Sequence, residues 1–205
     1  MICTGVCALA AYINSVIVMR GFILEMVSLA ASIFMTCKIM DLHASEATRN
    51  NYLYALSFFI GYLMGPGLHM IAEFDPSMLV QAVSYTAILF GSFTSVALFS
   101  KRRSYLFLGG VINTVIFCMM WNRLLSWVFG YSTVSMAHLM VGLFVASMYV
   151  VYDTQLIIER AEMGFKDVPS QTLTLFLDLV EMFIRVLRIL MELQEKDRKK
   201  KKEKD

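Results

Sequence analysis

The chain has 205 residues, of which 58% are hydrophobic and only 17% charged, well short of the roughly one-quarter charged fraction of a soluble domain. That balance excludes an ordinary soluble protein and predicts an integral membrane one. The net charge of +2 conceals an asymmetry, because the last eleven residues, EKDRKKKKEKD, hold seven of the eighteen lysines and arginines.

A spanning helix needs about 20 mostly apolar residues. Seven stretches qualify, roughly Ile2 to Met19, Gly21 to Met40, Tyr52 to Ile71, Met78 to Phe99, Tyr105 to Val128, Val134 to Ile158 and Thr172 to Leu193. The chain opens on MICTGVCALAAY, which lacks the basic start of a signal peptide and runs on into apolar sequence, so it is read as the first span. Cys3 and Cys7, with Cys37 and Cys118 further on, have no CxxC or metal-ligand spacing and are expected to be small buried hydrophobes.

The second span carries Glu25 in GFILEMVSLA, about five residues beyond Arg20 and so near the non-cytosolic face. It is a candidate to receive a cation at that mouth, or it pairs with Arg20 at the interface. In the third, Gly65, Pro66 and Gly67 should free backbone carbonyls that protein or cavity water must satisfy; the plainer reading is a kink. His43, His69 and His138 are isolated and receive no role, and the sixteen methionines read as compliant packing.

The polar connections are short and leave no room for a soluble domain. The expected organisation is one multi-span membrane domain over residues 1–193, followed by a basic, disordered tail over 194–205. Lys38, Arg49, Lys101, Arg102, Arg103, Arg160 and Lys166 fall in or beside connections two-three, four-five and six-seven, which places those connections in the cytosol. A complete seventh crossing then puts RKKKK on the opposite side, against the same rule. Either the seventh segment re-enters or the tail breaks the rule.

That seventh segment is unlike the others. Gln171, Thr174, Asp178, Glu181, Arg185, Arg188 and Glu192 recur at spacings of three and four, one narrow stripe at about 100° per residue. A stripe with five charges cannot face lipid, where each charge costs at least about 2.5 kcal/mol. The helix either lies on the membrane surface with its stripe in water or stands among the other six with the stripe inward.

Asp153, in SMYVVYDTQLIIER, favours the second. It precedes the centre of the six-seven linker by as many residues as Asp178 follows it. In an antiparallel hairpin both carboxylates therefore reach one depth, roughly 8 Å inside the boundary. Two close carboxylates cannot both ionise cheaply in a low-dielectric site, so the pair should share a proton and act as a pH-sensitive latch. The alternative is that Asp153 merely snorkels to the interface beside Glu159 and Arg160.

These residues carry a resemblance. YDTQLIIERAE followed by LFLDL, KRRSYLFLGG opening the fifth segment, and GPGL with DPS around the third occur in that order. With them, the sequence resembles the Bax inhibitor-1 family of transmembrane Bax-inhibitor-motif proteins, and its eukaryotic endoplasmic-reticulum members in particular. The resemblance implies an all-α, seven-helix bundle with the last, charge-striped helix at the centre. It also implies a calcium leak across the endoplasmic-reticulum membrane, sensitivity to pH and suppression of apoptosis. The family's paired aspartates correspond to Asp153 and Asp178. Relatives carry a polar segment ahead of the first helix, whereas this chain starts within it, which leaves truncation and a shortened first span both open. Where animal relatives have an acidic residue a turn before FLDL, this chain has Thr174.

Three function classes follow. The first is a pH-sensitive calcium leak, with Asp153 and Asp178 as sensor and as weak, transient calcium ligands, and Glu25, Glu181 and Arg185 as candidate ion-path residues. Calcium is then the permeating ion and no cofactor is expected. The second is a non-conducting regulator acting through Bcl-2-type and other endoplasmic-reticulum membrane proteins, its basic tail docking on anionic lipid. No nucleic-acid partner is expected. The third, an intramembrane aspartyl protease, is rejected because the second aspartate sits in LFLDL rather than Gly-x-Gly-Asp; the protein is expected not to be an enzyme.

Overall fold

The computed structural model describes residues 1–16, 22–100, 107–130 and 136–202. Among them are seven α-helices and no strand: α1 (Ile2–Val16), α2 (Phe22–Ile39), α3 (Glu46–Phe74), α4 (Pro76–Phe99), α5 (Leu108–Phe129), α6 (Met136–Glu162) and α7 (Val168–Lys202). They fall on the seven apolar stretches and make an all-α membrane protein. Helices α3, α4, α5 and α6 are each long and apolar enough to cross a bilayer, whereas the described apolar run of α1 is shorter. The charge stripe keeps α7 out of that class. Arg20 and the basic residues Lys101, Arg102 and Arg103, used to orient the chain, lie outside the described residues.

The helices overrun their apolar cores where caps allow it. Helix α3 begins at Glu46 because the Oγ of Ser45 accepts the Thr48 N–H at 3.3 Å, satisfying one of the amides a helix start leaves unpaired. At the start of α7, the Asp167 carbonyl accepts the Gln171 N–H at 3.1 Å, and Pro169 stands in the first turn, where its missing N–H costs nothing. The far end of α7 does not stop at Leu193. Glu192 pairs with Lys196 at 3.5 Å and Glu195 with Lys199 at 2.7 Å, acid before base at i,i+4, the favourable order on a helix. The stretch expected as a disordered arm is thus helical through Lys202; residues 203–205 lie outside the described chain.

The chain divides into two compact units, Met1–Leu79 with Asp167–Phe176, and Val80–Lys166 with Leu177–Asp205. In the first, α1 lies against α3 at Gly61 and Gly65. A Cβ at 61 would collide with the Cys7 carbonyl, and one at 65 would lie 2.8 Å from the Asn14 Cβ. The seam buries Cys3, Cys7, Ala10 and Ala11. Pro66 sits inside α3 and has no N–H for the Tyr62 carbonyl. The Asn14 side-chain amide donates to that oxygen instead, at 2.5 Å, so protein satisfies the freed carbonyl and α3 remains one helix. The reading of all four cysteines as buried holds for Cys3 and Cys7 only. Cys37 and Cys118 are exposed, on apolar helices whose outer faces suit lipid.

In the second unit, Ala97 of α4, Leu108 and Ile112 of α5 and Val145 and Val151 of α6 form a buried cluster, with Tyr149 and Tyr152 packed against it. Gly109 makes room for the Tyr152 ring, whose Cε2 would lie 2.9 Å from a Cβ there. Gln155 reaches from α6 to the Ala97 carbonyl at 3.4 Å. These contacts set the face of α6 on which Asp153 is held.

Candidate functional site: a carboxyl pair and an ion-paired stripe

Asp153 is buried, 9% exposed, within a run of buried residues on α6 that includes Val150, Val151, Thr154 and Gln155. Its polar neighbours are satisfied: the Thr154 hydroxyl donates to the Val150 carbonyl at 2.6 Å. Asp153 itself meets Asp178 of α7. The two carboxyl groups lie within hydrogen-bonding reach of one another, and the Oδ2 of Asp178 is enclosed with no hydrogen-bond partner among the described residues. Two carboxyl groups can hydrogen-bond only when one of them carries a proton. Tyr149, one turn before Asp153, lies in electrostatic reach of Asp153, Asp178 and Glu181.

The stripe continues along α7. Arg185 donates through Nε to the Oε1 of Glu181 at 3.0 Å, and its Nη2 bonds the same oxygen. Arg185 is half-buried and Glu181 more exposed, at 24% and 47% of their side chains. The guanidinium lies over buried Gly142 of α6, where the Cζ would stand 3.0 Å from a Cβ. His138, a turn earlier on α6, feels both Arg185 and Arg123 of α5. Arg188 is exposed, and the buried face of this part of α7 is Met182, Val186, Leu187 and Ile189.

Of the residues singled out from sequence, Asp153, Asp178, Glu181 and Arg185 therefore come together in the second unit. Glu25 is an exposed residue in the first turn of α2, in the first unit. Thr174 donates its hydroxyl to the Ser170 carbonyl at 3.1 Å, a bond within its own helix. Among the described residues no group of three or more His, Cys, Asp or Glu could hold a metal ion.

A polar cluster in the first unit escaped sequence reading. Arg49, counted only as a basic loop residue, is 5% exposed on α3. Its Nε donates to the Ile39 carbonyl at 2.6 Å, and its Nη2 donates to Asp167 at 2.9 Å and to the Ser170 hydroxyl at 2.8 Å. Burial works to raise the Asp167 carboxyl, but the bonds from Arg49 and Ser170 outweigh it and hold the group below its ordinary value. Two cap signals could have revealed the cluster. Ser45 with Thr48 starts α3 early enough to place Arg49 on the helix, and Asp167 before Val168 and Pro169 is a helix start rather than linker.

The family model described as "Inhibitor of apoptosis-promoting Bax1" matches residues 1–195. Bax inhibitor 1 of Bos taurus is 38% identical over 203 residues, covering 98% of this chain and 85% of the relative. Bax inhibitor 1 of Homo sapiens is 36% identical over the same length and shares. Bax inhibitor 1 of Oryza sativa subsp. japonica is 40% identical over 162 residues, 76% of this chain and 65% of the relative. With a family match over nearly its whole length and relatives at that identity, this multi-pass membrane chain belongs to the Bax inhibitor-1 family.

Proposed function

We propose that this protein is a pH-sensitive calcium leak of the endoplasmic-reticulum membrane, which lowers stored calcium and thereby suppresses cell death. The observation that carries the reading is the meeting of the Asp153 and Asp178 carboxyls within hydrogen-bonding reach. With one shared proton, the bond ties α6 to α7. Losing that proton leaves two like charges in contact, and gaining a second removes the charge-assisted acceptor; either change loosens the tie. The family resemblance supports acid as the opener. Calcium takes six to eight oxygen ligands, so two carboxyls with carbonyls and water make a weak transit site, suited to a leak rather than to storage.

The test is calcium release from liposomes containing the purified protein, across a pH series. Release should quicken as pH on the side of the six-seven connection falls from about 7 to about 6, a range a perturbed carboxyl can sense. Asp178→Asn should leave a rate that no longer follows pH, and Glu25→Gln should lower the rate while keeping its pH dependence. Release equal to protein-free liposomes at every pH would overturn the channel reading.

The second reading is a non-conducting regulator of cell death, working through Bcl-2-type and other endoplasmic-reticulum membrane proteins. The helical continuation of α7 through Lys202, with Lys196, Arg198, Lys199, Lys200 and Lys201 exposed, favours it as a docking element for a partner or for anionic lipid. Neutralising the tail lysines with the aspartates intact separates the two readings, since a leak keeps its flux and a docking protein loses its activity.

A further inference from the structure

The glycine at 142 gives Arg185 a seat. Gly142 is buried in the middle of α6, and any larger residue there would strike the guanidinium, whose Cζ would stand 3.0 Å from a Cβ. Met119 of α5 closes the same spot, its Cε 3.5 Å from that Cβ position. The cation thus rests on the α6 backbone in a place that only glycine leaves open.

Its position along the helices matters. Arg185 is seven residues beyond Asp178, about two turns and roughly 10 Å, on the same face of α7. Gly142 is eleven residues before Asp153 on the antiparallel side, roughly 16 Å away along α6. The guanidinium therefore stands beyond the carboxyl pair along α6 and α7, on the face of α7 that carries Asp178. Glu181 lies between them and holds it, with the Nε to Oε1 distance 3.0 Å. His138 on α6 is another titratable group in its reach, and it also feels Arg123 on α5. Glu181 is also within reach of Tyr149. No helix–helix packing requires a cation in this notch, which an apolar side chain would fill at lower desolvation cost.

We propose that Arg185 sets the charge selectivity of the path through the carboxyl pair: a cation fixed in the Gly142 notch and partly offset by Glu181, which governs how readily a divalent cation passes. The inference rests on the conducting reading and adds the residue that sorts ions by charge. A fixed charge acts on a divalent ion with twice the energy it exerts on a monovalent one, so its removal changes the calcium rate by about the square of the change for potassium. Removing Arg185 unmasks Glu181 and attracts calcium; removing Glu181 unmasks Arg185 and repels it.

The experiment compares release of calcium and of potassium from liposomes holding the full chain. Arg185→Gln should raise calcium release on the order of fivefold and potassium release roughly twofold, as doubling the charge requires. Glu181→Gln should lower calcium release. Gly142→Ala, which evicts the guanidinium without altering its charge, should raise calcium release by less than Arg185→Gln does. A merely structural ion pair would move Arg185→Gln and Glu181→Gln in one direction and treat both ions alike, and that result overturns the assignment. So does a leaking wild type whose two variants are unchanged. If the wild type releases calcium no faster than protein-free liposomes, the conducting reading itself falls and takes the selectivity role with it.

Discussion

Each of the two units holds a half-buried carboxylate in or just before the first three turns of α7, and they do so by opposite means. In the first, Asp167 meets the Arg49 guanidinium, which also bonds the Ile39 carbonyl and the Ser170 hydroxyl. In the second, Asp178 meets another carboxyl and keeps an enclosed oxygen without an ordinary donor among the described residues. The Arg49 cluster has matched charges and filled hydrogen bonds, so it has one low-energy arrangement. On the proposed reading the aspartate pair holds one proton for two acids, so its best arrangement would depend on the proton supply. The two contacts differ in a single partner, guanidinium against carboxyl, and the proposed switch rests on that difference.

The contrast breaks most visibly at Arg49. Arg49→Met should keep the volume of the stem but leave Asp167 without its cation and the Ile39 carbonyl without its donor. Removing one partner of a buried pair is costly, so a loss of about 3 kcal/mol is expected, at the low end because Asp167 retains some contact with water. Unfolding in detergent, followed by circular dichroism, measures it; an unchanged midpoint would show that the cluster anchors nothing.

Asp167→Asn should cost less, about 1.5 kcal/mol at neutral pH, the scale of a hydrogen bond to a charged group, and it carries a pH signature. The folded-state carboxyl of Asp167 titrates below its unfolded value, which is near 3.9. Its contribution is therefore fully present above that unfolded value and is lost as pH falls through the folded one. Wild type should lose this increment on acidification and Asp167→Asn should not, so the stability difference between them narrows with acid. A difference that stays constant down to pH 3 would remove Asp167 from the acid limb.

The contrast also marks what the sequence could reveal. The seven helices were legible because hydrocarbon selects runs of apolar residues, and the pairing of Asp153 with Asp178 was legible because a hairpin obeys a simple symmetry. Hydropathy marks the part of a helix that lies in lipid, not the part that is hydrogen-bonded, so the early start of α3 and the long continuation of α7 lay beyond it. Arg49 was missed for the same reason: a basic residue at the rim of an apolar run reads as a loop charge until the Ser45 cap is recognised. Gly142 gave no signal of its own, since an isolated glycine in an apolar helix is common, and only the position of Arg185 explains it. The Asn14 bond to the Tyr62 carbonyl was legible in part, because Pro66 announces an orphaned carbonyl but not who will serve it.

The smallest expected effect on stability belongs to the aspartate pair on which the proposed function rests. In Asp178→Asn the new amide can donate to Asp153 as the shared proton did, so one hydrogen bond replaces another in the same place, and the like-charge contact is gone at every pH. The enclosed position of Oδ2 still receives a polar atom of similar size, and no cavity opens. The net change should fall within about 1 kcal/mol of wild type, in either direction. Asp153→Asn should behave alike by the symmetry of the bond. If each change removes the proposed shared proton, the double variant will differ from the sum of the singles, whereas two independent carboxyls would add. Detergent unfolding of the four proteins decides it: additive shifts, or a loss for Asp178→Asn as large as that for Arg49→Met, would mean that the aspartates are anchors of the same kind as Arg49 and Asp167.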